Sequence, residues 1–300
     1  DTDRSRGLGD VYKRQPWSAS SKRRNTANSQ YNKIFFNNLQ KPLTMKTITI
    51  TNLKGGVGKT TTAINLAHRL ASEDKRVLLL DTDHQANLSR FFNAQSERNI
   101  YQLFIGKAAP QPYAISDNLH IISSDMETAT INFRLIGQMA WHSVLRNKLV
   151  SSGFTALYDY CIIDCPPALD MIVTNALTAA DYVLIPLTSG QFAYDGLRNI
   201  IDRIDEIKES ANPHIEILGI LLTMVSERTR AVKTVKDMLK KHGLDIKTCE
   251  ARIRQCEAFK QAELKHISIF DYDPKSNGAC DMETFFQEIR PRCLLYTSPS

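Results

Sequence analysis

The most constraining feature of the chain is a glycine-rich turn between a strand-like and a helix-like pattern. The turn reads Leu53-Lys-Gly-Gly-Val-Gly-Lys-Thr-Thr61 and follows the β-branched run Thr47-Ile-Thr-Ile-Thr51. Beyond it, apolar residues recur at helical spacing, at Ala63, Leu66, Ala67, Leu70 and Ala71. A strand, a glycine-rich turn and a helix N-terminus form the usual phosphate-binding loop, because the glycines let backbone N–H groups approach the phosphates. We therefore expect this turn to bind a nucleotide.

The residues of the turn have separate expected roles. Lys59 reaches the β- and γ-phosphates, and the Thr60 hydroxyl takes a Mg²⁺ position. The turn departs from the general pattern at Leu53, where a first glycine is usual, and Lys54 adds a second cation. That cation faces the like charge of Lys59 unless phosphate neutralises both. The predicted nucleotide-binding residues of the turn are Lys54, Gly55, Gly56, Val57, Gly58, Lys59, Thr60 and Thr61.

Two acidic motifs follow, each directly after an apolar run. Asp81-Thr-Asp-His-Gln-Ala-Asn87 comes after Val77–Leu80, and its two carboxylates can serve Mg²⁺ and a nucleophilic water. Tyr160-Cys-Ile-Ile-Asp-Cys-Pro-Pro167 places Asp164 at the end of an apolar strand, the Walker B arrangement that binds Mg²⁺ through water. A turn rich in Asp and Asn is the structural alternative for the first motif.

The apolar runs predict the fold class. Helical patterns lie between several of them, and continuous apolar strands that alternate with helices indicate a mostly parallel sheet with helices on both faces. We therefore predict a single α/β domain of the P-loop NTPase type over residues 45–290, with ligands at the carboxyl ends of the strands. The strand-like runs are Val77–Leu80, Leu119–Ile122, Cys161–Ile163, Tyr182–Ile185 and Ile217–Leu222.

The loop form Lys-Gly-Gly-Val-Gly-Lys-Thr-Thr resembles the deviant Walker A loop of the ParA/MinD family of ATPases. The resemblance implies ATP and Mg²⁺ as cofactors, and a homodimer in which Lys54 reaches across to the partner's nucleotide. It also implies that Asp83 orients the attacking water while Asp81 supports the metal site with Thr60 and Asp164. Lys54, Lys59 and Asp83 are then the catalytic residues. In the Asp-x-Asp motif, His84 and Ala86 replace the usual proline and glycine, which changes loop stiffness rather than chemistry.

Further segments extend this resemblance over residues 46–289. They include Thr174-Asn-Ala-Leu177, Ile185-Pro186, Phe192-Ala-Tyr-Asp-Gly-Leu197 and Gly219-Ile-Leu-Leu-Thr-Met224. Tyr272-Asp-Pro-Lys-Ser-Asn-Gly278 also matches, and in relatives the segment like Asp273-Pro274-Lys275 lies beside the adenine base. Without the family, that segment indicates only a turn.

Both ends of the chain look foreign to the rest. Residues 6–15 and 293–300 resemble translated sequencing-adapter sequence, so we expect a natural start at Met45, a non-native or disordered extension over residues 1–44 and a non-native tail over residues 291–300. A basic disordered arm that touches nucleic acid or a partner is the alternative for the first segment. It holds nine Lys or Arg and three Asp or Glu, an excess that equals the net charge of +6 of the whole chain. The overall charge therefore says nothing about partners.

Within the neutral body, the charge is uneven. Residues 228–260 carry ten Lys or Arg and four Asp or Glu, and the run begins on a helical pattern whose apolar side is Val232, Val235, Met238 and Leu239. We predict that the basic side contacts DNA phosphates without reading bases, once two such faces are paired in a dimer. A solvated helix face is the alternative. The predicted DNA-binding residues are Arg228, Arg230, Lys233, Lys236 and Lys240.

Other branches of the family fit less well. No run of 18 apolar residues appears, and the last helical pattern is acidic beside its apolar face, so no membrane partner is expected. Cys165 has no convincing second ligand for an iron–sulfur cluster. We predict a cytoplasmic, nucleoid-associated partition ATPase of the ParA/Soj type with a ParB-like activator. The alternatives are a MinD-like or cellulose-regulator-like ATPase at a membrane or cell pole, and a module that binds nucleotide without useful hydrolysis.

Overall fold

An eight-stranded sheet forms the centre of the computed structural model, which describes residues 45–106, 109–189, 193–226 and 231–294. The order across the sheet is β3-β4-β2-β5-β1-β6-β7-β8, and β3 pairs antiparallel with β4 while the other neighbours are parallel. The strands are β1 (Lys46–Ile50), β2 (Val77–Asp81), β3 (Tyr113–Ala114), β4 (Leu119–Ile122), β5 (Tyr160–Asp164), β6 (Tyr182–Thr188), β7 (Glu216–Val225) and β8 (Thr248–Arg254).

Helices connect the parallel strands, as parallel pairing requires. Short 3₁₀ helices cover Met126–Thr130, Trp141–Ser143 and Asp245–Lys247. The α-helices are α1 (Lys59–Ala71), α2 (Asn87–Phe91), α3 (Ile100–Ile105), α4 (Ile131–Leu135), α5 (Val144–Ser151), α6 (Phe154–Leu157), α7 (Met171–Ala179), α8 (Ala193–Ser210), α9 (Ala231–Lys241), α10 (Glu257–Leu264), α11 (Ile269–Tyr272) and α12 (Asn277–Leu294).

Side chains on alternate positions of β1 show that both faces of the sheet are covered. Ile48 and Ile50 join the apolar cluster that includes residues of α1 and α12. On the opposite face, Thr49 donates a 3.0 Å hydrogen bond from Oγ1 to the carbonyl oxygen of Ala176 in α7. The predicted α/β fold with a mostly parallel sheet and helices on both faces is therefore confirmed.

The predicted strands and helices lie where their apolar patterns indicated. Every residue of β2 and β5 is buried, as expected for central strands of a parallel sheet. In α12, the apolar positions Met282, Phe285, Phe286 and Ile289 are all buried. Among the described residues, no helix is both long enough and apolar enough to cross a bilayer.

The last helix extends beyond the predicted domain boundary at residue 290. It continues through Leu294, and Cys293 is only 6% exposed. Its carbonyl oxygen accepts a 3.3 Å hydrogen bond from the Tyr160 hydroxyl, and Arg292 donates through Nη1 to the Leu218 carbonyl at 2.9 Å. Arg292 and Cys293 therefore contact the sheet from within α12, while residues 1–44 and 295–300 lie outside the described part of the chain.

Candidate nucleotide and metal site

The glycine-rich turn joins β1 to α1 at the carboxyl edge of the sheet, as predicted. Gly56 has a φ of 68° and Gly58 a φ of 85°, which is the left-handed region that favours glycine. Gly58 precedes the first residue of α1, and its carbonyl oxygen accepts a 2.9 Å hydrogen bond from the backbone N–H of Thr62. The N-terminus of a thirteen-residue helix therefore opens directly behind the loop, in the arrangement that favours a bound polyphosphate.

The two lysines of the loop occupy different environments. Lys59 is 8% exposed, and its Nζ donates hydrogen bonds to the carbonyl oxygens of Asn52 at 3.2 Å and Lys54 at 3.1 Å. Burial lowers the pKa of Lys59, against the opposing effect of the nearby Asp164 carboxylate. Lys54 has an exposed side chain. One cation therefore belongs to the interior of the loop and the other projects from its surface.

Two buried polar residues fix the loop, and sequence reasoning did not identify either. The Asn52 side chain accepts from the Lys54 backbone N–H at 2.9 Å and donates to the Pro186 carbonyl at 2.6 Å. Thr223, near the end of β7, donates a 2.8 Å hydrogen bond to the Val57 carbonyl. Buried polar side chains are nearly always hydrogen-bonded. The only signal in the sequence was therefore that a polar residue stands at or near the end of each apolar run.

Asp164 lies at the end of β5 beside the first turn of α1. Its Oδ2 accepts a 2.7 Å hydrogen bond from the Thr60 hydroxyl, and its buried Oδ1 has no hydrogen-bond partner among the described residues. Burial, with a smaller effect from the charge of Asp81, raises the pKa of Asp164 to about 8. A carboxylate oxygen without a partner next to a threonine hydroxyl provides the hard oxygen ligands that Mg²⁺ prefers. These two residues therefore fit the predicted metal.

Asp81 pairs with Asp164 across the neighbouring strands β2 and β5. Its Oδ2 accepts hydrogen bonds from the Ser89 backbone N–H at 2.8 Å and the Ser89 hydroxyl at 2.7 Å. Its Oδ1 accepts from the Asp83 backbone N–H at 3.2 Å. Burial raises the pKa of Asp81 to about 6. The carboxylate thus also holds α2 and the start of the acidic loop, and its support of a metal stays a prediction.

Asp83 projects from the loop beyond β2 and is 14% exposed at its side chain. Its Oδ1 accepts a 2.9 Å hydrogen bond from the Gln85 backbone N–H and lies 3.6 Å from Nδ1 of His84. Both of these contacts use Oδ1. Ala86, three residues on, has a φ of 53° and precedes α2. The position where glycine was expected therefore needs the conformation that glycine adopts most readily.

The cysteines near this edge are core residues. Cys161 and Cys165 are 0% and 1% exposed, and burial raises the pKa of both thiols. All six cysteines of the chain are free. These two thiols pack in the interior and stay protonated at neutral pH.

The turn at Asp273-Pro274-Lys275 lies between α11 and α12. Asp273 caps it, since its Oδ1 accepts from the Lys275 backbone N–H at 3.1 Å and its carbonyl accepts from the Ser276 hydroxyl at 2.7 Å. No hydrogen bond or ion pair of the described residues joins this turn to the phosphate loop. Its contact with adenine stays a prediction.

The basic helix α9 has the predicted two-sided character. Val232, Val235 and Leu239 are buried, whereas Lys233 and Lys240 are exposed. Lys236 lies 3.4 Å from Glu250 of β8 in an exposed ion pair. Arg228 and Arg230 lie outside the described residues. The other cations counted over residues 228–260 lie in α9, in the 3₁₀ helix before β8, in β8 and in α10. Lys233 and Lys236 of α9 line one cavity together with Arg252 and Arg254 of β8.

The structure thus brings the phosphate loop, Asp81, Asp83 and Asp164 together at the ends of β1, β2 and β5. Several known proteins are similar to this chain. A family model described as an AAA domain matches residues 45–217. The chain is 35% identical to the chromosome partitioning protein ParA of Caulobacter vibrioides over 242 residues, 78% of this chain and 90% of that protein. It is also 35% identical to the chromosome-partitioning ATPase Soj of Thermus thermophilus over 253 residues, 83% and 96% of the two chains.

Solved structures share the fold. A McdA variant of Cyanothece in complex with ATP superposes with a TM-score of 0.73 and 25% identity, covering 86% of this chain and 99% of that chain. Cobyrinic acid a,c-diamide synthase of Mycobacterium smegmatis, bound to an ATP analogue and magnesium, gives a TM-score of 0.71 at 23% identity over 85% and 96% of the two chains. This chain belongs to the ParA/Soj family of ATP-binding, P-loop partition ATPases.

Proposed function

We propose that the protein is a DNA-partition switch in which ATP and Mg²⁺ assemble a homodimer, the homodimer binds DNA without sequence preference, and hydrolysis releases it. The observation that carries this proposal is the separation of the two loop lysines. Lys59 is buried and directed into its own loop, whereas Lys54 is exposed on the same loop. A cation on the outer surface of a phosphate loop is suited to the phosphates of a second subunit.

Hydrolysis of ATP uses the residues that meet at the carboxyl edge. Lys59 donates to β- and γ-phosphate oxygens once they replace its present carbonyl partners. Thr60 and Asp164 would hold Mg²⁺, which would supply positive charge to the phosphates. Asp83 accepts a hydrogen bond from the attacking water, whose oxygen bonds to the γ-phosphorus as the bond to the bridging β–γ oxygen breaks. The products are ADP and phosphate. We propose slow turnover that a ParB-like protein stimulates.

DNA binding is proposed for the exposed side of α9. Lys233 and Lys240 are exposed, and each directly follows a buried apolar residue of the helix, Val232 and Leu239. One helix contacts few phosphates, so binding at physiological salt needs the two helices of a dimer. Each phosphate neutralised adds about −0.9 to the slope of log affinity against log salt. Binding is therefore expected to depend on ATP and to weaken steeply with salt.

The test is binding to random-sequence duplex DNA over a salt series, with and without ATP. Lys233→Glu combined with Lys240→Glu should abolish binding and leave ATP-dependent dimerisation intact. The matched control reverses Lys75 and Lys208, which lie outside α9, and should keep both the affinity and the salt slope. A double variant of α9 that binds DNA like the wild type would refute the assignment to this helix. Flotation of the ATP-bound protein with anionic vesicles would instead favour the membrane alternative.

A further inference from the structure

A short segment of the chain exposes an unusual share of its apolar side chains. Met126, Phe133, Ile136 and Met139 are 70%, 77%, 67% and 97% exposed. They are four of the nine large apolar side chains that the described residues expose, and they fall within fourteen positions. Clustered exposed apolar side chains mark an interaction surface more often than scattered ones do. We call residues 126–139 the apolar segment.

On one side, buried hydroxyl groups connect the apolar segment to Asp81 at the carboxyl edge of the sheet. The Thr128 hydroxyl, on a residue that is 0% exposed, accepts a 2.9 Å hydrogen bond from the Ser124 hydroxyl. The backbone N–H of Ser124 donates to the Ser89 hydroxyl at 2.8 Å, and that hydroxyl donates to Asp81 at 2.7 Å. A continuous line of buried hydrogen bonds therefore runs from Asp81 to the base of the segment.

A second attachment leads to the residues that follow Asp164. The side chain of Asn132 donates to Oδ2 of Asp170 at 2.8 Å and accepts from the Ile172 backbone N–H at 3.1 Å. Asp170 also accepts from the Val173 backbone N–H at 3.0 Å and so caps α7. The apolar segment thus holds the N-terminus of α7, whose cap Asp170 lies six residues beyond Asp164. Any molecule that covers the segment therefore contacts an element that is hydrogen-bonded towards Asp81 on one side and to the cap of α7 on the other.

The charges of the segment favour a second copy of the same chain as its partner. Glu127 and Arg134 are its charged residues, both are exposed, and no ion pair of either is formed within the described part of the chain. In a two-fold contact, residue i of one subunit meets residue j of the other and the reverse. One acid and one base around an apolar centre are therefore complementary to a second copy of themselves, whereas a surface of one sign would repel it.

We infer that the apolar segment is covered by a second copy of this chain in the nucleotide-bound dimer, with Glu127 of each subunit facing Arg134 of its partner. The inference rests on the proposed ATP-dependent homodimer and adds the surface that closes it. Formation of the dimer would also affect the nucleotide site, because hydrogen bonds connect the covered segment to Asp81 and to the cap of α7.

The test measures the dimer dissociation constant by analytical ultracentrifugation in the presence of Mg²⁺ and a non-hydrolysable ATP analogue. Phe133→Ser, Met139→Ser, Glu127→Arg and Arg134→Glu should each weaken the dimer by about tenfold or more. Glu127→Arg combined with Arg134→Glu restores opposite charges across the two-fold axis and should recover most of the lost affinity. Ile246→Ser is the matched control, since Ile246 is 77% exposed but precedes β8 at the amino edge of the sheet.

Binding of a fluorescent ATP analogue to each monomer should be unchanged, which shows that the fold and the site survive. Serine variants that dimerise like the wild type would overturn the inference while leaving the proposed function in place. The same holds if those variants dimerise normally but lose stimulation by an activator protein, because the segment would then belong to the activator. A wild-type chain that stays monomeric with ATP would overturn the proposed dimer and this inference together.

Discussion

The hydroxyl of Thr60 donates a 2.7 Å hydrogen bond to Oδ2 of Asp164, a residue 104 positions further along the chain. The bond joins the first turn of α1 to the end of β5. It satisfies one oxygen of a carboxylate that is 2% exposed, and the other oxygen remains without a partner. The site therefore holds a carboxylate whose negative charge is poorly compensated until a cation binds.

Asp164→Asn should stabilise the nucleotide-free protein, and the gain should depend on pH. Burial raises the folded pKa of Asp164 to about 8, above its unfolded value of about 3.9. Stability from such a group is fully present below the unfolded pKa and is lost as pH rises through the folded pKa. The advantage of Asp164→Asn should therefore be about 1 kcal/mol at pH 4.5 and larger, on the order of 5 kcal/mol, at pH 8.5.

Urea unfolding without Mg²⁺ at the two pH values measures this difference. Asp205→Asn, on an exposed position of α8, is the control and should match the wild type at both. An Asp164→Asn protein whose stability relative to the wild type is the same at both pH values would contradict the account of a poorly compensated buried carboxylate.

Thr223→Val should weaken nucleotide binding although Thr223 contacts no phosphate. The change keeps the shape of the side chain and removes the hydrogen bond to the Val57 carbonyl, on a residue that is 1% exposed. An unpaired buried carbonyl costs about 1–3 kcal/mol, which the loop would avoid by moving. Calorimetric titration with ATP measures the affinity, and Thr223→Ser, which keeps the hydroxyl, should bind like the wild type. Equal affinity of the valine and serine variants would show that this bond does not shape the loop.

Ala86→Gly tests whether the acidic loop carries backbone strain. A non-glycine residue in the left-handed region costs about 1–2 kcal/mol, and glycine costs about 0.5–1 kcal/mol in unfolded-state entropy. With a φ of 53° at Ala86, the change should leave stability unchanged or raise it by up to about 1 kcal/mol. Ala67→Gly, in the middle of α1, should lower stability by about 1 kcal/mol or more. A similar loss in both variants would mean that Ala86 is unstrained.

Much of the fold could be predicted because the central strands are continuous apolar runs between helices. β2 and β5 are examples, and their terminal aspartates identified two sides of the site. β8 was not predicted, although its buried and exposed residues alternate. It is an edge strand whose outward side chains, such as Glu250 and Arg252, are charged, and within a basic stretch that alternation was obscured. The two-residue β3 is too short to give a pattern.

The residues that shape the site were harder to predict than those that act in it. Lys59, Asp81 and Asp164 belong to recognisable motifs, whereas Asn52, Ser89 and Thr223 are polar residues whose partners lie far away in sequence. Thr223 bonds Val57 at a separation of 166 residues, and no local pattern contains such a pair. Tertiary contacts alone define these positions, so they became visible only in the folded chain.

Asp83→Ala should slow hydrolysis while preserving the ATP-bound dimer. The change removes the carboxylate that we propose orients the attacking water and leaves Lys59, Thr60 and Asp164 in place. Single-turnover hydrolysis should fall by about a hundredfold or more, the usual size of such a loss, and light scattering should still detect a dimer. His84→Ala, the neighbouring control, should retain most of the turnover. If Asp83→Ala turned over ATP like the wild type, Asp83 would not orient the attacking water, and Asp81 would be the next candidate for that role.

The most direct measurement is light scattering of three proteins, the wild type, Lys54→Ala and Lys59→Ala, each with ATP and Mg²⁺, combined with titration of a fluorescent ATP analogue. Because Lys59 is buried within its own loop and Lys54 is exposed, Lys59→Ala should lose nucleotide binding. Lys54→Ala should bind nucleotide as a monomer and neither dimerise nor hydrolyse. A Lys54→Ala protein that dimerises and turns over ATP like the wild type would contradict the proposed switch.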